Sequence, residues 1–229
     1  MKLQNSLVHA AIVAALLIGA AGGVQAADEV KPAPVTGTAP APVAADDPGK
    51  LVQASAEGML KDLDANRAEY RKDPNKVGAL VEKYLLPHFD TQYSARLVLG
   101  KHWRTASEEQ RKRFVDAFYQ SLLRNYGSAL VDFTSDRMKI FPAQVDGDSS
   151  TVRTEIKRSD GTRIPVNYSL RKTNGEWKAW DVTIEGISYV KSFQQDFGAE
   201  VAQKGLDSLI QRLENDAKAG RPSVKPAAK

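Results

Sequence analysis

The chain has 229 residues and no cysteine, with 32 Lys and Arg against 28 Asp and Glu and a formal net charge of +4. Without cysteine there is no disulfide, thiolate metal site, cysteine nucleophile or cysteine-linked lipid anchor, so an ordinary hydrophobic core must hold the fold. The small basic excess is spread along the chain and does not require a polyanionic partner; nucleic acid is not expected.

The first 26 residues predict export. Lys2 supplies a positive start, Ala10 to Gly19 an apolar run, and Val24-Gln25-Ala26 a small-residue cleavage site. The mature chain is therefore expected to begin at Ala27, after export. The apolar run is short for a membrane span of roughly 20 residues. Residues 27–49 form the next segment; Asp28 to Gly49 contains five prolines and no aromatic residue. Such composition cannot bury enough surface to fold and predicts a semi-extended tether. Residues 218–229 are expected to be a similar tail, which leaves one folded domain over 50–217.

Leu51 to Tyr70 spaces Leu51, Met59, Leu60, Leu63 and Tyr70 helically, with Lys61 and Arg67 outside. Asp73-Pro74 ends that helix. Asn75 to Leu86 predicts a second, stopping before Pro87. His88 to Leu99 predicts a third, closed by Gly100. Ser107-Glu108-Glu109-Gln110 is a capping-box pattern that opens a helix to about Asp132. Its stripe of Phe114, Phe118, Leu122, Tyr126 and Leu130 is flanked by Val115, Tyr119 and Leu123. A stripe that broad predicts cover on more than one side.

After Phe133 the apolar period changes to two. Arg137–Val145, Ser150–Lys157, Arg163–Lys172 and Trp177–Ile184 read as strands, joined through Asp146-Gly147, Asp160-Gly161 and Asn174-Gly175. The alternation places Val152, Thr154 and Ile156 on one face, as it does Ile164, Val166, Tyr168 and Leu170, and Trp180, Val182 and Ile184. Polar residues take the other side, so one face is wet. Helices over Ser188 to Gln203 and Asp207 to Ala217 complete an α+β fold: a curved four-stranded antiparallel sheet packed against N- and C-terminal helices.

Chemistry is sparse. His88 and His102 lack zinc-site spacing, no nucleophile elbow is present, and Ser107 already serves as a cap. Asp146-Gly147-Asp148 starts like a calcium loop but lacks its later ligands. No metal, cofactor or catalytic residue is assigned. Asp181 and Glu185, at the end of the last strand, leave a carboxylate site open beside their commoner use in turn formation. Arg111-Lys112-Arg113, with Lys101 and Arg104, read as a solvated basic rim, or as an attraction to anionic headgroups or an acidic partner. Periodicity does not separate a solid core from a cavity.

Leu97-Val98-Leu99-Gly100, then Trp103-Arg104, Ser107, Gln110-Arg111 and Phe114, resemble the central signature of the MlaC / toluene-tolerance family. Trp177-Lys178-Ala179-Trp180-Asp181-Val182, followed by Glu185-Gly186-Ile187-Ser188, resembles its second signature. Phe193, Phe197 and Gly205-Leu206-Asp207-Ser208-Leu209-Ile210 are similar to its C-terminal end. The likeness runs from about Lys50 to Leu213; the proline-rich segment lies outside the family pattern. The resemblance implies an NTF2-like domain with an apolar pocket between sheet and helices, acting as a phospholipid carrier and not as an enzyme. It further implies lipid exchange with an outer-membrane lipoprotein–porin complex and an inner-membrane ABC transporter bearing an MCE-domain subunit, in maintenance of outer-membrane lipid asymmetry.

Face periodicity then nominates the lipid-binding residues: Leu99, Phe118, Leu122, Ile140, Val166, Tyr168, Trp180, Val182 and Phe193. At about 0.8 kcal/mol per methylene, two chains with roughly 30 methylenes cost on the order of 24 kcal/mol to expose, so only enclosure can carry them. Loading then needs a wall that moves, with Gly186, Gly198 and Gly205 as candidate hinges. Two other readings stay open. An NTF2-like enzyme acting on a small hydrophobic substrate would need an inward Asp, Glu or His with a perturbed pKa. A ligand-free interaction module would have a solid core.

Overall fold

The computed structural model describes residues 47–73, 75–130, 138–157 and 161–219, and all of them lie within one unit of the chain, Val43–Lys229. The expected signal peptide, most of the tether and all but the first residues of the tail fall outside the described residues. The N-terminal helix α1, Pro48–Lys72, starts inside the stretch expected to be linker. Asp47 caps it, its carboxylate accepting from the amides of Gly49 at 2.8 Å and Lys50 at 3.1 Å. Pro48 sits in the first turn, where a missing N–H costs nothing. The chain kinks at Asn66, whose backbone is non-helical.

Helix α2 is Asn75–Tyr84. The expected helix from His88 is divided: Leu86–His88 forms a 3₁₀ turn, and α3 runs only over Thr91–Leu99. The physical reason is a competing partner. Phe89 bridges to Ala179 of the sheet, and the Asp90 amide donates to the Ala179 carbonyl at 2.7 Å. Asp90 then caps α3, accepting from the Tyr93 amide at 3.0 Å. Gly100 ends α3 at φ +55°, as its position predicts. A short α4, His102–Thr105, precedes α5, Glu108–Leu130. The capping box forms in both directions: the Gln110 amide donates to Ser107 Oγ at 3.1 Å and the Ser107 amide to Gln110 Oε1 at 2.9 Å.

Among the described residues the sheet has six strands rather than four: β1 Met138–Ile140, β2 Gln144–Asp146, β3 Ser149–Lys157, β4 Arg163–Thr173, β5 Glu176–Ile184 and β6 Ile187–Ser188. Its antiparallel order is β1-β3-β4-β5-β6, with β2 also on β3. The first expected strand breaks at Phe141-Pro142-Ala143, because Pro142 has no N–H for the ladder. Both fragments pair with β3, so they occupy the place of one interrupted edge strand. Helices α6, Tyr189–Lys204, and α7, Leu206–Ala219, follow. Helix α7 extends two residues into the expected tail. Gly205 separates the two helices at φ +84°, a conformation that L side chains rarely adopt.

The helices build a core of their own. Phe114, Phe118, Phe193 and Phe197 pack with Val98, Leu99, Leu209, Ile210 and Leu213. Phe118 contacts four rings, with centroids 5.2 to 5.7 Å away. A separate cluster forms on the sheet, where Leu51 of α1 packs on Val152, Leu170, Trp177 and Ala179. A third joins α1 to α2 through Met59, Leu60, Leu63 and Leu80.

Candidate functional site

Strand register defines the inward face. Met138, Ile156 and Ile164 lie in one cross-strand row; Ile140, Thr154, Val166 and Ile184 in the next; Val152, Tyr168 and Val182 in a third; Ser150, Leu170 and Ala179 in a fourth. Cross-strand partners share a face, so these side chains form one surface that is apolar but for three hydroxyls. Leu51 covers its fourth row and part of its third. The helical core contributes no member to that cluster, nor the sheet any member to the helical one. Ile140, Ile156, Tyr168, Val182 and Ile184 are consequently only half-buried, although they point inward.

Tyr168 is one of them: it retains accessible surface, and desolvation raises its phenol above the ordinary value. Tyr119, half-buried on the helical side, has its phenol pushed up mainly by burial as well. Leu122, one turn further along α5, is half-buried against the helical core. A cavity of about 250 Å³ opens between α1 and β1, lined by Gln53, Glu57, Leu60, Met138 and Ile140; the last two belong to the inward face.

Of the nominated residues, Ile140, Val166, Tyr168 and Val182 lie together on this surface, and Leu122 borders the helical core. Leu99, Phe118 and Phe193 lie inside the helical core, 2 to 3% exposed. Trp180 leaves the row. A β-bulge lets Ser169 pair with Asp181 and Leu170 with Ala179, so Trp180 has no cross-strand partner. It packs edge-on against Tyr93 at 5.6 Å. Arg171, on the face opposite Leu170, lies 4.2 Å over that same Tyr93 ring. A bulge leaves no mark in a period-two pattern. Met138, Ile156, Ile164 and Ile184 were not nominated, although the alternation already put three of them on inward faces.

Polar groups near the site are engaged in structure. Asp181 is 4% exposed and accepts from Ser188 Oγ at 2.6 Å and the Val190 amide at 3.0 Å, which ties β5 to the start of α6. Asp90 accepts from Thr173 at 2.8 Å and Arg171 at 3.2 Å as well as capping α3. The basic rim is largely paired. Arg113 makes a two-pronged contact with Glu214 at 2.9 Å, and Lys112 reaches Asp116 at 2.9 Å. Arg111 donates to the Trp103 carbonyl at 3.0 Å and lies over the Trp103 ring. Among the described residues no group of three His, Cys, Asp or Glu could hold a metal.

Comparison with known proteins follows the same geometry. The family model described as MlaC protein matches residues 53–215. The chain belongs to the MlaC family. The intermembrane phospholipid transport system binding protein MlaC of Haemophilus influenzae is 29% identical over 180 residues, covering 76% of this chain and 84% of that protein. Toluene tolerance protein ttg2D of Pseudomonas putida is 32% identical over 167 residues, covering 72% and 78%. A solved structure of a phospholipid-binding protein from Ralstonia solanacearum, in complex with a phospholipid, shares the fold at TM-score 0.70 and 22% identity. It covers 76% of this MlaC chain and 98% of its own. The MlaC match spans both the helical core and the sheet, so the separated clusters belong to one family domain. No described helix is long and apolar enough to cross a membrane.

Proposed function

We propose that this protein carries phospholipid between membranes, with the acyl chains enclosed between the inward sheet face and the helical core. The observation that carries the reading is the apolar sheet face that the helices leave incompletely covered. The printed names of the relatives, one in an intermembrane phospholipid transport system and one structure holding a phospholipid, support it. The 250 Å³ cavity is smaller than the roughly 300 to 1,000 Å³ typical of a drug-sized ligand's pocket. In this reading a lipid enters as helices and sheet separate. The helical layer has its own core, so it can shift on the sheet without exposing its phenylalanines.

The same reading places the mature protein in the periplasm after cleavage behind Ala26. It gives the protein two docking partners, an inner-membrane MCE-domain ABC transporter and an outer-membrane lipoprotein–porin complex, and no catalytic step. Residues 27–46, ahead of the Asp47 cap of α1, serve as a tether. The test is native mass spectrometry of the mature protein purified gently from cells. Co-purified phospholipid is the expected result; a uniformly lipid-free mass would overturn the reading.

A further inference from the structure

The inward face holds three hydroxyls, and only one is satisfied by the sheet. Thr154 donates to the Val166 carbonyl at 2.8 Å. Ser150 is 6% exposed, and its Oγ has no hydrogen-bond partner among the described residues. Tyr168 is half-buried, and its hydroxyl has no hydrogen-bond partner among the described residues. Ser150 and Val152 are alternate residues of β3, and Tyr168 lies directly across from Val152. Ser150 and Tyr168 thus stand on a diagonal of one face, roughly 7–8 Å apart. A buried hydroxyl without a partner is unfavourable, so Ser150 calls for an acceptor that the described residues do not supply, and Tyr168 stands beside it on the same apolar face.

We propose that Ser150 and Tyr168 donate hydrogen bonds to the ester carbonyl oxygens of the bound phospholipid and thereby register its glycerol backbone against the sheet. The inference rests on the carrier reading and adds a specificity to it. A diacyl lipid needs an apolar surface with a few donors, because its ester carbonyls accept and cannot donate. A phosphate would need a cation, and Val152, Val166, Leu170 and Val182 around the pair are uncharged. Ester lipid is thus distinguished from ether lipid, which keeps the chains and headgroup but lacks the carbonyls. Leaving site donors unpaired disfavours the analogue that lacks their acceptor.

The experiment loads delipidated mature protein from vesicles holding equal amounts of dioleoyl phosphatidylethanolamine and its diether analogue, and reads the bound ratio by native mass spectrometry. Wild type is expected to favour the diester, about fivefold for each hydroxyl engaged. Tyr168→Phe and Ser150→Ala should each reduce that ratio, and the double variant should load both lipids equally. Lipid-free Tyr168→Phe should melt no lower than wild type, because the removed hydroxyl has no partner to lose. An equal diester-to-diether ratio in wild type, with both lipids bound, overturns the proposal while leaving lipid carriage intact. A ratio unchanged in the double variant also overturns it. Failure of wild type to load either lipid overturns the carrier reading itself.

Discussion

Asp62 shows how one half-buried carboxylate organises the N-terminal helices. It accepts from Tyr70 at 2.8 Å, Asn66 at 3.0 Å and Tyr84 at 3.1 Å, and Lys83 approaches at 3.5 Å. Desolvation works against its charge, but these hydrogen bonds and Lys83 outweigh it and hold the pKa below 3.8. Burial first, and then the hydrogen bond to Asp62, pushes the Tyr70 phenol up to about 12. A lowered acid pKa means the unfolded chain takes up the proton first, so this stability is present above about pH 3.8 and is lost as pH falls through the folded value. His88 acts earlier on the same scale: desolvation, then Lys178, lowers its pKa below 6.5. Stability should therefore decline in two stages as pH falls, below about 6.5 and again below about 3.8. Urea unfolding from pH 7.5 to 3 checks this. His88→Gln should remove the first stage. Asp62→Asn should shrink the second, to which Glu200 and Glu214, lowered by Arg212 and Arg113, also contribute, and cost about 1 to 2 kcal/mol at pH 7.

Among the elements, α1 and α2 approach closely at Gly58. A methyl group at Gly58 would stand 2.8 Å from the Tyr84 ring. Gly58→Ala must displace the Tyr84 ring and with it the hydroxyl on Asp62. The expected cost is about 1 to 3 kcal/mol in chemical denaturation. A neutral result would mean that the ring moves without losing Asp62. The C-terminal helices are secured differently. Arg212 holds Glu200 at 2.7 and 2.8 Å between α7 and α6, and Arg113 holds Glu214 between α5 and α7. Such partly exposed pairs add little energy. The shared phenylalanine core makes the helices one body, and the paired charges set its register.

At the scale of the whole molecule, the division into a helical core and a sheet surface is what a carrier needs. Enclosing two acyl chains shields on the order of 24 kcal/mol of hydrophobic surface, which no exposed patch can do. A solid core would leave no room for them. Leu122→Trp adds bulk from the helical side at a half-buried position. It should lower the amount of co-purified lipid severalfold while the circular dichroism spectrum stays unchanged. Normal loading would remove Leu122 from the lining. Of the candidate hinges, Gly186 and Gly205 stand at element junctions, whereas Gly198 lies within α6.

Local signals were legible where a residue acts on its own neighbours. Ser107 and Gln110 cap α5 as their spacing implies, Gly100 ends α3, and period-two runs placed Val166, Tyr168 and Val182 on one face. Family membership was legible too, because its motifs are runs of adjacent residues. Tertiary structure decided what depends on distant partners. Ala179 diverted Phe89 and Asp90 from the helix expected at His88; the bulge turned Trp180 out of its row; Glu214 and the Trp103 carbonyl engaged arginines that read as a free basic rim. It also separated Phe118, inside the helical core, from Tyr168, on the sheet, although both carry the same apolar signal. A sequence states that a side chain will leave water, because that follows from its own chemistry and period. Whether it meets another side chain or an enclosed space depends on how completely two layers close, and only their packing determines that.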